Sequence, residues 1–400
     1  MNRLEPPPLP KEGSCLAAVV EESGAKPLPG FFDRLSNRIG RFFDHLIGFF
    51  ALLGTLAVAS TVPVFNLLCL GYLLTGASAV IHSSRLRCGL PGLPLFTVLG
   101  KIALGIWLWY LPIRLLHSFL IDSRFLGESG EEASALRGVL AFLIVVISLH
   151  LAWALARGGR LRHFLWPQPI RFFRWLSGSR EHGPIPLRPV LNRCRETAAA
   201  VWNCFLTGAQ GFLVGATWLI LPVSLLFLAS SMESPGPSFF VSLFGGVLLG
   251  VVILYLPFLQ TAAAASTKIA DGFRVRNVKL AFRRAPLAFW SALFVTVLFA
   301  IPLYLLKIEL TPDELAWLPN LAFVALMLPA HLLVGWAMAR SRRSETDRHP
   351  VSRWSARLLA LPVVSSYVFA VWMNQYLSWH GSWGLLEQHA FLLPAPLFGI

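Results

Sequence analysis

Residues 46–81 run for 36 positions without a single Asp, Glu, Lys, Arg or His. One transmembrane helix takes about 20 predominantly apolar residues, so the run is long enough for two crossings. Composition carries the same conclusion through the chain. Of its 400 residues 56% are hydrophobic and 14% charged, where a globular chain carries about 25% charged residues to cover its surface. An ordinary soluble enzyme is excluded, and the bilayer is the environment these side chains suit.

The uncharged run divides at Thr61-Val62-Pro63. Proline has no backbone N–H to donate and restricts the residue before it, which suits a tight turn. A two-span hairpin, a re-entrant segment and one kinked helix all satisfy the pattern. Further apolar blocks follow, and with the hairpin the spans fall at about 46–61, 64–81, 102–121, 138–156, 207–229, 238–262, 286–306, 318–339 and 358–377. The expected fold is an all-α polytopic membrane bundle of nine spans, with seven to ten compatible with the blocks. Residues 1–30, rich in proline and carrying Glu21-Glu22, bury too little apolar surface to offset the entropy of ordering. They read as a disordered cytoplasmic tail, and they lack the apolar core of a secretory signal. From Phe31 onward, Phe32, Leu35, Ile39, Phe42, Phe43 and Leu46 recur at helical spacing opposite Arg34, Arg38 and Arg41, as an interfacial lead-in to the first span.

The net charge of +14 is explained by its placement. Cations gather at 34–41, 85–101, 157–195, 268–284 and 340–357, which fall on one side of the nine-span arrangement. With the tail, that side carries 30 Lys or Arg against 11 acids, and the other side four cations against nine acids. The positive-inside rule makes the basic side cytoplasmic, with the amino terminus inside and the carboxyl end, residues 378–400, outside. The organisation is a first membrane half (31–156), a basic connector (157–206), a second half (207–339), a basic loop (340–357) and a last span. Nucleic acid is not an expected partner, because its ligands would not place cations at alternate junctions between apolar blocks. Two four-span parallel repeats are compatible with this order. Pro112 and Pro302 occupy corresponding spans, each after a basic connector.

Thr61-Val62-Pro63-Val64-Phe65-Asn66, Gly71-Tyr72-Leu73-Leu74 and Arg85-Leu86-Arg87-Cys88-Gly89-Leu90-Pro91-Gly92 resemble uncharacterised bacterial multi-pass membrane proteins classed under domains of unknown function. The resemblance implies a bacterial inner-membrane protein, and it brings no activity, ligand or catalytic residue with it.

Chemistry-bearing patterns are few. The five cysteines form no C-x-x-C pair and read as free thiols, with no metal site or cofactor expected. Ionisable groups inside spans are candidates for transport; Lys101, Arg114 and His117 lie toward the ends of the third span, which leaves His150 and His331 as the candidates. Both stand without a carboxylate in any span, so a hydrogen bond between helices is the preferred reading over a proton relay. Residues 161–176 intersperse Arg162, Arg171 and Arg174 with Phe164, Trp166, Phe172, Phe173 and Trp175, a mixture suited to an anionic lipid surface. Pro184, Pro186 and Pro189 make a stiff connector beyond it. Gly381-Ser382-Trp383-Gly384 lacks the nucleophile elbow of a hydrolase and reads as an interfacial turn. The expected function is a non-enzymatic membrane scaffold or assembly component with lipid and protein partners. Transport or lipid handling is the alternative, with Pro63, Pro112, Pro222, Pro257 and Pro302 as helix breaks near a binding site. A membrane enzyme comes third.

Overall fold

The computed structural model describes residues 31–62, 64–125, 130–158, 160–166, 187–306 and 317–377. The expected tails, 1–30 and 378–400, Pro63, and most of 161–186 lie outside the described residues. Every regular element described is helical. In the first half these are α1 (Phe31–Thr61), α2 (Asn66–Ser83), α3 (Leu93–Phe125), α4 (Gly130–Ala156) and the short α5 (Leu161–Leu165). The second half holds α6 (Leu187–Ser230), α7 (Pro235–Ser266), α8 (Val275–Arg284), α9 (Pro286–Leu306), α10 (Trp317–Arg343) and α11 (Pro350–Leu377). Among the described residues, eight helices are long and apolar enough to cross a membrane, and the α8–α9 pair, bent by 113°, supplies a ninth crossing when taken as one span. The chain is therefore an all-α polytopic membrane bundle.

The helices overrun their apolar blocks. The 44 residues of α6 extend about 66 Å at 1.5 Å per residue, roughly twice the hydrocarbon thickness. Its first turns carry Arg188, Arg193 and Arg195 in sequence, more length than one crossing needs, and Pro189 falls where a missing N–H costs no helical bond. Pro112, Pro222, Pro257 and Pro302 lie inside continuous helices rather than at breaks. The basic connector before α9 is itself the helix α8. Its Val278 is buried while Arg276, Arg283 and Arg284 are exposed, the two-faced pattern of a helix lying at an interface.

Glycine sets the closest crossing in the bundle, because without a Cβ two backbones can touch. A Cβ on Gly71 of α2 would lie 2.9 Å from the Gly208 nitrogen of α6, and one on Gly208 would lie 2.9 Å from the Gly71 nitrogen. Gly335 of α10 meets the backbone of Ala77 from the other side of α2. A core of Leu52, Leu73, Leu249, Leu256, Met327 and Tyr367, drawn from five helices, fills the centre. A second cluster, including Ile81, Phe258, Phe289, Ala337 and Met338, lies nearer the basic ends.

The hairpin of α3 and α4 adds little to this core beyond Phe96 near the start of α3. The chain buries 11% of the apolar window of each, against 56% for α2 and 50% for α10. The amino-terminal unit, which ends at Leu46, is the first part of α1. Within it Phe42 and Phe43 meet edge to face at 5.9 Å.

One turn occurs twice. Ser83-Ser84-Arg85-Leu86-Arg87-Cys88-Gly89 follows α2, and Ser266-Thr267-Lys268-Ile269-Ala270-Asp271-Gly272 follows α7, 183 positions later. Ser84 and Thr267 are the two non-glycine residues with positive φ among those described, both at 56°. Left-handed backbone costs an L-residue roughly 1–2 kcal/mol, so the recurrence marks a shared architecture. In both copies the first serine hydroxyl accepts from the next-but-one N–H, Arg85 or Lys268, at 3.3 Å. The two copies meet where a His82 ring nitrogen lies 3.1 Å from the Ala265 carbonyl, again 183 positions apart.

Candidate functional site

The last turns of α10 carry Trp336, Arg340 and Arg343 at spacings of four and three, on one face of the helix. The Arg340 guanidinium lies over the Trp336 ring at 5.6 Å, an attraction worth about 0.5–1 kcal/mol when exposed. Arg343 Nη2 donates to the Ser84 carbonyl at 3.3 Å, tying α10 to the strained turn after α2. The connector then folds back. Ser344 donates to the Thr346 carbonyl at 3.1 Å, and the Arg348 N–H donates to the Arg283 carbonyl at the end of α8 at 3.0 Å. Between these elements lies a cavity of about 220 Å³ lined by Ser84, Trp336, Arg340, Arg343, Ser344 and Arg348. No carboxylate lines it. Of the two acids in the connector, Asp347 pairs with Arg353 at 3.6 Å and Glu345 is exposed.

Guanidinium groups stay protonated and have no lone pair to offer, so three of them form neither a general base nor a metal site. What they can do is bind anionic oxygen, with a planar fork matched to phosphate or carboxylate. Among the described residues no three His, Cys, Asp or Glu side chains gather as metal ligands. Cys69, Cys88 and Cys204 are free thiols.

The same sequence ends α4. Trp153-Ala154-Leu155-Ala156-Arg157-Gly158-Gly159-Arg160 matches Trp336-Ala337-Met338-Ala339-Arg340-Ser341-Arg342-Arg343 at five of eight positions, at the same 183-residue spacing as the turns. Arg157 lies over Trp153 at 5.4 Å, repeating the Arg340–Trp336 geometry. Here, however, α5 covers the arginine. Arg157 Nη2 donates to the His163 carbonyl at 2.8 Å and approaches the Trp166 carbonyl at 3.5 Å. Phe164 is fully buried, with its ring against Gly105 of α3. Its carbonyl accepts from Trp109 Nε1 at 2.8 Å and lies 2.8 Å from His150 Nε2. Burial first, and then Arg157, Arg162 and Arg160, hold the His163 imidazole below its ordinary value.

The structure separates the two histidines expected in spans. His150, half-buried and 4.8 Å from the Trp109 ring, latches α5 onto the α3–α4 hairpin. His331 is buried on α10, with Nδ1 3.0 Å from the Met327 carbonyl one turn back. The other buried polar groups also find helix backbone: Gln260 donates to Gly211 at 3.0 Å, Thr261 to Pro257 at 2.7 Å and Thr296 to Ala292 at 2.8 Å. Arg162 is exposed on α5. Arg171, Arg174 and the Gly381–Gly384 segment lie outside the described residues. The resembling stretch does converge, since the Tyr72 hydroxyl donates to the Pro91 carbonyl at 2.9 Å and its ring meets Phe96 edge on.

Sequence reading counted Arg340, Arg343 and Arg348 only as topology. The repeated Trp-Ala-x-Ala-Arg-x-x-Arg was the signal that could have singled out the first two. Ser84 could not have been found, because it joins the site from 259 positions away. Compared with protein-family models, with curated proteins and with solved structures, the chain matches none.

Proposed function

We propose that this membrane protein is a non-enzymatic scaffold or assembly component of the bacterial inner membrane, with its basic end in the cytoplasm. The α3–α4 hairpin is its docking arm. One observation carries the reading: only 11% of the apolar window of each hairpin helix is buried by the chain, yet α5 braces the pair through Trp109, His150 and Arg157. A helix pair that served only to sit in lipid has no need of such bracing. The hydrogen bonds of Gln260, Thr261, Thr296 and His331 to helix backbone support a rigid core over a relay. Exposed Trp107, Tyr110 and Phe119 on α3, with Phe142 on α4, give the arm large anchors of the kind that dominate helix docking.

The test is photo-crosslinking in intact membranes from p-benzoylphenylalanine placed at Trp107, Phe119 or Phe142, with exposed Phe240 on α7 as reference. A discrete protein adduct from the hairpin positions and not from Phe240 is expected. Lipid adducts alone, at every position, overturn the reading. Lipid handling is the second reading, and the arginine-lined cavity is what favours it.

A further inference from the structure

We propose that the cavity between α2, α10 and the connector to α11 is a specific binding site for a phosphate group, carried by a lipid headgroup or by a small soluble ester. Arg340, Arg343 and Arg348 are its ligands. This goes beyond the scaffold reading and stands or falls separately from it.

The electrostatic balance favours an anion. The site lies where α2 and α10 end, and each helix carboxyl end contributes about −0.5 of a charge. Two such ends offset about one of the three guanidinium charges, leaving a surplus of about two, and no carboxylate lines the cavity to cancel it. The helix ends keep the arginines in place without neutralising them.

Geometry gathers the three exposed arginines around one space. The Arg340 side chain is held on Trp336 and that of Arg343 on the Ser84 carbonyl, while the backbone at Arg348 is held on Arg283. That space, about 220 Å³, is below the roughly 300 Å³ at which drug-sized pockets begin, and a phosphate with a glycerol-sized substituent fits it. Trp336 lines its wall. A tryptophan at a span end sits at headgroup level, the depth at which a lipid presents its phosphate.

In the first-half copy the same arrangement takes oxygen ligands from the chain itself. There the equivalent Arg157, in the same pose over Trp153, is met by two carbonyl oxygens from the α5 segment. The chain supplies its own oxygen ligands at one copy and leaves a cavity at the other. The open copy has a third cation, Arg348, from a connector that differs from the α5 segment of the first half.

The experiment uses the full-length protein in mild detergent. Native mass spectrometry reads retention of phosphatidylglycerol against phosphatidylcholine, and calorimetry reads binding of glycerol 3-phosphate. Arg340→Gln/Arg343→Gln/Arg348→Gln is compared with Lys268→Gln/Arg276→Gln/Arg284→Gln, which removes the same charge from exposed positions on the same end. We expect at least tenfold weaker phosphatidylglycerol retention in the cavity variant and less than threefold in the control. If glycerol 3-phosphate binding falls tenfold while lipid retention holds, the site stands and its ligand is a soluble ester. Equal losses in both variants, or no loss of either ligand in the cavity variant, overturn the proposal. Should the triple variant not fold, Arg348→Gln, on the exposed connector, is read by the same criterion.

Discussion

The α2–α6 crossing gives a sharp quantitative test of the packing. Gly71→Ala adds a methyl group whose carbon would lie 2.8 Å from the Cys204 carbonyl carbon and 2.9 Å from the Gly208 nitrogen, closer still to the Cys204 carbonyl oxygen. Ordinary contact is about 3.5 Å, so the carbon and nitrogen contacts alone call for about 0.6 Å of separation, and the carbonyl oxygen calls for more. A gap of 0.5–1 Å forfeits roughly a quarter to a half of each dispersion well, and the neighbours that lose contact are Leu70, Leu74 and Phe212. Both partners at the clash are backbone, which cannot rotate away, so the cost belongs near the top of the usual overpacking range, about 2–3 kcal/mol. Gly208→Ala should cost about the same, and the double variant less than the sum, because the first separation makes room for the second. Gly54→Ala and Gly138→Ala are the controls, since a Cβ there meets nothing within 4 Å. Helix propensity makes these neutral or stabilising by up to about 1 kcal/mol. Reversible unfolding of the protein in mixed micelles, titrated with denaturing detergent, reads all five. If Gly71→Ala is tolerated as well as Gly54→Ala, the backbones do not touch and the crossing is wrong.

Three further outcomes concern the α5 latch and the buried His331 of α10. Trp109→Phe removes the donor to the Phe164 carbonyl and should weaken α5 docking by about 1 kcal/mol, seen as faster hydrogen exchange at 161–165 with α2 unchanged. Equal exchange in the variant refutes the latch. His163 titrates below its ordinary value of 6.5 in the folded protein, so folding favours its neutral form. The latch is then at full strength above that value and weakens as pH falls below it, a trend that His163→Gln should abolish. His331→Ala empties a buried position against its own helix. It should cost about 2 kcal/mol of stability while leaving phosphatidylglycerol retention unchanged, and loss of retention would tie the core histidine to the ligand.

Much of the fold was legible because hydrocarbon thickness imposes a length on each apolar block. Blocks expected at 238–262 and 318–339 became Pro235–Ser266 and Trp317–Arg343. The ends were not legible, since a helix continues into water on polar residues that a hydropathy reading assigns to loops, as in α6. Helix α8 was read as connector for the same reason, its apolar face resting on a few residues around Val278 and Phe282. The prolines were misleading. In a bilayer-buried helix neighbouring groups can satisfy the backbone that proline frees, and Pro112, Pro222, Pro257 and Pro302 all sit inside unbroken helices. As for the site, charge position announced which end would be basic. It could not announce that Arg343 reaches the strained turn at Ser84, because that pairing depends on α2 and α10 crossing at Ala77 and Gly335.

The central claim is that nine crossings place every basic connector on one face, with the arginine cavity and α8 among them. The most direct measurement is a set of topology reporters, active on one side of the membrane only, fused after Leu126, Arg180, Arg284 and Arg343. The account predicts the outer side for the first and the cytoplasm for the other three. Reporters after Arg180 and Arg343 on opposite sides, or Leu126 and Arg180 on the same side, would contradict it.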